Sequence, residues 1–461
     1  MMEHLLRNFS TFKEVELRYQ SNSYLNIVIV NGKPTGLYKW SKRGYSVRAF
    51  DGSSLLFSSS PTPEGLELKS LRFRSWEKGI SSDKRVGGEY SVNEKIKLDD
   101  ISTEEKVKLL VDLSKLIYSD KNLKSKVVSV NFYYTESKEE KEIMFEDGVK
   151  VKGYVPRVSL YFSITLKNGE RSATIANGDL GGSGGFEIVK NWNLEEFLPN
   201  TLESVDKVLE KGKAVTPGRK DVILSNQLAG IIVHESVGHP FEADRVLGRE
   251  GAQAGLSYLV GKNFGEKIAS DKVTVIDDPT IYGSSGYYLI DDEGIEARPK
   301  YLIREGVINE LLQDRFSAYK FGVKSNGSAR ASAYDREPIV RMSNTFFKPG
   351  ELTFDELMEN VKDGVYFKSY MEWNIDDLRV GERYVGLEAY EIKNGEIGEP
   401  LLFPVLETTT FELLSSIDAV DNTLSFYRGT CGKGDPDQPI PVWFGGPNMR
   451  ARNITVKVRG E

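Results

Sequence analysis

The chain has 461 residues, of which 39% are hydrophobic and 28% charged, with a net charge of −7. That length implies two or three domains, the composition is that of a folded protein, and the absence of a basic stripe excludes nucleic acid and acidic polymers as ligands. With no apolar run near about 18 residues, no secretory pattern at the start and a single cysteine, Cys431, a cytoplasmic protein without a membrane span is expected.

Residues 25–36 read as a strand, an Asn31-Gly32 turn and a returning strand, and residues 43–59 as a hairpin around Asp51-Gly52. Ser102 and Glu105 form a capping-box pattern ahead of Val107, Leu110, Leu113 and Ile117 at helical spacing. This predicts a helix over 102–120 packed on the preceding sheet. Residues 126–148, 155–170 and 171–179 return to strand alternation. The GGSGG at 181–185 lacks the lysine and hydroxyl residue of a phosphate loop and reads as a flexible loop. A helix over 194–211 is expected to be interrupted or restarted near Pro199.

The polar stretch 211–221 marks a domain boundary. The expected fold class is α+β, with an N-terminal sheet-and-helix domain over 1–215 and a larger, mainly antiparallel β-rich domain over 216–461. Strand-like segments in the second domain are 272–278, 287–294, 299–308, 336–347, 364–373, 383–398 and 453–458.

Within it, residues 234–240 read HESVGHP, next to the familiar H-E-x-x-H zinc motif but with the histidines five apart. Only three histidines occur in the chain, His4, His234 and His239, so two of them in one hexapeptide is a concentrated signal. The preceding residues, capped by Ser225 or Asn226, read as a buried helix. At about 100° per residue, a step of five turns the second ring about 140° away from the first, so a straight helix cannot aim both at one ion. Gly238 tolerates unusual dihedrals and Pro240 biases His239 away from the α region, which predicts a distorted helix end.

A catalytic zinc takes three protein ligands and keeps one position open. Cys431, between glycines, is the favoured third ligand, with Glu242 and Asp244 as alternatives and His4 at a loose terminus. Glu235, beside a ligand but chemically free, suits a general base. The plainer alternatives are a solvated glutamate, satisfied core histidines and a small buried cysteine.

HESVGHPFEAD, followed by VTVIDDP, IDDEG, ARASAYDREPIVRMSNTFFKPG and GTCGKGDPDQPIPVW, resembles the TldD/PmbA family in order and spacing over most of the chain. The resemblance implies a TldD-type zinc metalloprotease, with His234, His239 and Cys431 as metal ligands and Glu235 as the catalytic acid. It further implies an α+β fold and cleavage of unfolded or leader peptides bound as extended strands. The partner it implies is a second copy or a homologous inactive (PmbA/TldE-type) subunit, closing a dimer cavity. Residues 240–255 and 369–386 lack the glycine-rich form of bacterial members, which bears on cleavage preference.

Two other classes stay open: a non-catalytic peptide-binding or regulatory subunit with a structural zinc, and a zinc hydrolase of small amides. Arg330 and Arg341 are candidates for binding a peptide carboxylate or for salt bridges with Asp277, Asp278, Asp291 or Asp292. Tyr334 is a candidate oxyanion donor.

Overall fold

The computed structural model describes residues 2–67, 72–75, 79–251 and 255–460, so residues 252–254 of the divergent stretch after the motif lie outside the described residues. Its N-terminal part is an eight-stranded sheet of β1 (Glu14–Val30), β2 (Lys33–Phe50), β3 (Leu55–Ser60), β4 (Arg72–Ser75), β5 (Gly88–Ser91), β6 (Lys126–Phe145), β7 (Lys150–Asn168) and β8 (Arg171–Ser183). The order is β4-β3-β2-β1-β6-β7-β5, with β8 also on β7. Asn31 and Gly32 turn β1 into β2 with φ of 51° and 75°, the left-handed pair that a two-residue hairpin requires.

Alternation then decides the layers. Val130, Phe132 and Tyr134 of β6 face inward, whereas Tyr133 between them is 41% exposed. The inner face is covered by helix Thr103–Ser119, whose capping box at Ser102 and Glu105 is formed, and by helix Leu194–Lys211. The second helix is continuous through Pro199, contrary to the expected break. Proline there removes one backbone donor, but Leu198, Leu202, Val205 and Val208 are all buried in the same core and hold the helix to the sheet.

Of the GGSGG segment, expected as a loop, residues 181–183 end β8 and only Gly184 and Gly185 form a bend. Gly181 and Gly182 pair with Ser159 and Val158 of β7, and a Cβ at Gly182 would lie 3.0 Å from the Gly283 carbonyl. Absence of a side chain lets this strand end approach the C-terminal half, where Trp443 Nε1 donates to Gly181 O.

The C-terminal half holds two large mixed but mainly antiparallel sheets. Six strands run in the order Val307–Ile308, Lys300–Arg304, Val275–Asp277, Asn344–Phe347, Ile440–Gly446 and Ser425–Cys431. A nine-stranded sheet includes Gly218–Leu224 and Met449–Lys457 as antiparallel neighbours. The architecture is therefore α+β, as expected. Residues 287–294, expected as a strand, form turns instead apart from a single bridge at Ile290, and the Asp291 carboxylate accepts the backbone N–H groups of Glu293, Ile295 and Ala329. Among the described residues no helix is long and apolar enough to cross a membrane.

Candidate metal centre

Strand Gly218–Leu224 passes directly into helix Asn226–Val233 through Ser225, whose hydroxyl accepts the Leu228 N–H at 3.2 Å. Leu228 through Val233 are buried, so this short helix is held by the core on all sides. Gly230 permits its closest approach: a Cβ there would meet the Phe444 ring at 2.9 Å and the Gly445 backbone at 3.2 Å.

The helix then widens into a π turn over His234–Gly238, closed by His239 N–H donating to the His234 carbonyl at 3.1 Å. The residue that made the spacing five instead of four is absorbed by this turn, and both imidazoles return to one face. Their ring centroids are 4.8 Å apart, edge to face. Two expectations about how this happens are corrected. His239 stays in the α region, at φ −62° and ψ −47°, because hydrogen bonds from His239 and Phe241 carry the coil past Pro240. Gly238 serves close packing: a Cβ would fall 2.0 Å from Met342 Sδ.

Cys431 ends the edge strand Ser425–Cys431 and faces this turn, its Sγ 3.7 Å from His239 Nε2. One ligand atom from each of His234, His239 and Cys431 lies within 4.8 Å of the others, and all three residues are buried. Neither Glu242 nor Asp244 belongs to the cluster. Glu242 lies behind His239, where its Oε2 is 3.1 Å from Nδ1, and accepts from Arg245 Nε at 2.7 Å. An Arg245 nitrogen also lies 3.2 Å from Nδ1, but guanidinium only donates, so the Nδ1–H to Glu242 pairing is the one that leaves Nε2 free toward Cys431. Asp244 turns to Lys433 Nζ at 2.6 Å.

The charges suit a cation. Burial lowers the His234 imidazole pKa, favouring the neutral form, and among the described residues its Nδ1 is a buried atom with no hydrogen-bond partner. Burial works against the Cys431 thiolate, but His239 and Arg341 outweigh it and bring the thiol down to about 7. Burial likewise opposes ionised Glu242, yet Lys433 and Arg245 hold it well below the usual carboxylate range. Two imidazoles and a cysteine sulfur are a zinc donor set, and the 3.7 Å between Sγ and Nε2 is close to the roughly 3.5 Å that tetrahedral zinc bonds would give. These residues fit the ion.

Glu235 is buried beside the cluster and accepts from Arg379 Nη1. Burial raises its pKa, but His239, His234 and Arg379 outweigh it and keep the carboxylate ionised. Ser236, next in the turn, donates to Glu382 at 2.5 Å.

The weaker candidates fall elsewhere. Arg341 donates to the carbonyls of Cys431 and Gln438, and Arg330 to that of Met342 at 2.8 Å. Both therefore brace backbone, and the four aspartates proposed as partners have others: Asp277 pairs with Lys300, Asp292 with Arg18 and Lys141, while Asp278 and Asp291 bind nearby backbone N–H groups. Tyr334 packs against Gly44 and Lys42 of β2. His4 is exposed in helix Met2–Arg7. Sequence reasoning missed Arg379, the bracing role of Arg341 and the orienting role of Glu242. The one local signal for the last was Glu242-x-x-Arg245, a pair at helical spacing.

Residues 217–458 match the PmbA/TldA metallopeptidase C-terminal domain, 96–213 its central domain and 15–72 its domain 1. A metalloprotease of Methanothermobacter thermautotrophicus is 32% identical over 96% of this chain and 94% of its own length. A zinc metalloprotease TldD homolog of Saccharolobus solfataricus is 28% identical over 82% of each. The crystal structure of TldE from Thermococcus kodakarensis superposes with a TM-score of 0.72 at 16% identity, covering 99% of both chains, a likeness of fold. With three consecutive domain matches spanning most of its length, the chain belongs to the PmbA/TldA metallopeptidase family.

Proposed function

We propose that the protein is a zinc-dependent peptidase in which His234, His239 and Cys431 hold the metal and Glu235 is the general base. The observation that carries this is the convergence of three buried ligand atoms within 4.8 Å, beside an ionised glutamate on the turn that supplies the two histidines. A zinc ion there supplies Lewis-acid polarisation of a carbonyl and acidifies a water. Glu235 takes the proton of the attacking water and delivers it to the leaving amine, so that one carboxyl serves as base and then as acid. The buried walls of the turn exclude bulk water and strengthen these charge interactions.

The substrate class we assign is an unfolded or leader peptide bound as an extended strand in the cytoplasm. Its support is that Cys431 ends an edge strand of its sheet, the position at which a peptide can add as a further strand. A second copy or a homologous inactive subunit is the proposed partner, on the strength of the family resemblance.

Glu235→Gln is expected to retain zinc and to lose hydrolysis of a disordered peptide by a factor of about 10²–10⁴. Cys431→Ala should sharply lower zinc content by elemental analysis. Full turnover in the first variant, or full zinc occupancy in the second, refutes the corresponding assignment. Running each assay with and without the homologous subunit decides whether the partner is required.

A further inference from the structure

Resting on the zinc-peptidase reading, we propose that Arg379 is a positioning residue that keeps Glu235 off the metal, so that this carboxylate acts as a base and not as a fourth ligand. The need is built into the motif. Glu235 follows a ligand directly in sequence, lies in the same buried turn, and carries a carboxylate, itself a good zinc ligand. A three-ligand site left open beside such a group would close on it.

The restraint comes from another element. Arg379 lies between strands Tyr370–Ile375 and Gly381–Gly386, and its Nη1 donates to Glu235 Oε2 with both side chains 7% exposed. Its backbone is left-handed, at φ 64°, which is unfavourable for a residue with a Cβ and persists only where neighbours enforce it. Here they do. Asp376 accepts the Arg379 N–H through its carbonyl at 3.0 Å, and its carboxylate takes the N–H groups of Val380 and Gly381 at 2.9 and 2.7 Å. Thr410 donates its hydroxyl to the Arg379 carbonyl at 2.7 Å and its N–H to Val380 O at 2.8 Å. The strained turn thus aims a guanidinium at one oxygen of Glu235. A guanidinium suits the task because it is always charged and cannot itself bind a cation.

The experiment is a zinc-affinity cycle read by competition with a chelator, which needs no turnover. Arg379→Gln and Arg379→Met are made in parallel, so that a folding failure of one leaves the other, each also in the Glu235→Gln background. Release of Glu235 onto the ion predicts zinc binding tighter by about tenfold or more in the single variants, the scale on which groups behind a ligand tune a site. That gain should vanish when residue 235 is Gln. Peptide turnover should fall in kcat with KM little changed, because the base is lost and the peptide site is not. Unchanged or weaker zinc binding overturns the proposal. So does a gain that persists in the Glu235→Gln background, which would be a plain charge effect of removing a nearby cation. If the unaltered protein binds zinc but cleaves no peptide, the peptidase reading fails while the cycle still decides the role of Arg379.

Discussion

His239 reaches its orientation through Glu242, whose carboxylate is fully buried and faces His239, Arg245 and Lys433. Its ionised state fixes the ring tautomer and raises the basicity of the nitrogen that faces Cys431. Glu242→Gln preserves shape and removes the charge. Zinc affinity is expected to fall about 10–100-fold, measured by chelator competition. Lys433 keeps Asp244 as its partner, so loss of the Glu242 charge should cost the metal-free protein about 1–3 kcal/mol by denaturant titration. A variant with unchanged zinc affinity would show that the ring is held by packing alone.

The motif helix is a short element asked to hold a precise pair of side chains. Eight residues in isolation are too few to be stable in water, so the helix depends on its buried faces and on its ends. At the start, Ser225 satisfies one backbone donor; at the finish, the π turn converts a five-residue step into one turn. Ser225→Ala should destabilise the protein by about 1 kcal/mol, seen as a lowered thermal midpoint. Zinc stoichiometry at saturation should stay at one, since the cap lies two turns from the ligands. A lost metal site would mean that the cap also sets the register of the π turn.

At the scale of the molecule, the eight-stranded sheet and the C-terminal half are joined by buried charges. Arg18 Nη1 and Lys141 Nζ reach Asp292 at 3.1 and 3.0 Å, and Arg48 bridges Glu16 and Glu293 at 2.9 and 2.5 Å. Burial raises the Asp292 carboxyl, but Lys141 and Arg18 outweigh it and hold it below its ordinary value. A carboxyl depressed in the folded state contributes stability that is complete above its unfolded value and is lost as pH falls through its folded value. Asp292→Asn is therefore expected to cost about 3–5 kcal/mol at neutral pH, because Arg18 loses its carboxylate, while Lys141 retains Glu139 at 3.5 Å. The gap to the unaltered protein should narrow on acidification below the usual carboxylate range. Urea titrations stepped downward from pH 7 test this, and a gap constant with pH would place the stabilising charge elsewhere.

Local chemistry was enough for the hairpin at Asn31-Gly32, the capping box at Ser102, the helix after Ser225 and the pairing of His234 with His239, since each depends on residues a few positions apart. The α+β class was legible for the same reason, as alternation and helical spacing are local. Residue type also singled out Cys431, by scarcity and by its affinity for zinc, 192 positions from His239. Tertiary structure decided the rest. The role of Gly238 depends on Met342, that of Gly181 and Gly182 on the opposing half, the service of Arg341 on two distant carbonyls, and the placement of Arg379 on a strained turn 144 positions from Glu235. A sequence carries the chemistry of each side chain in place, but distance between side chains far apart in the chain exists only once the sheets have packed.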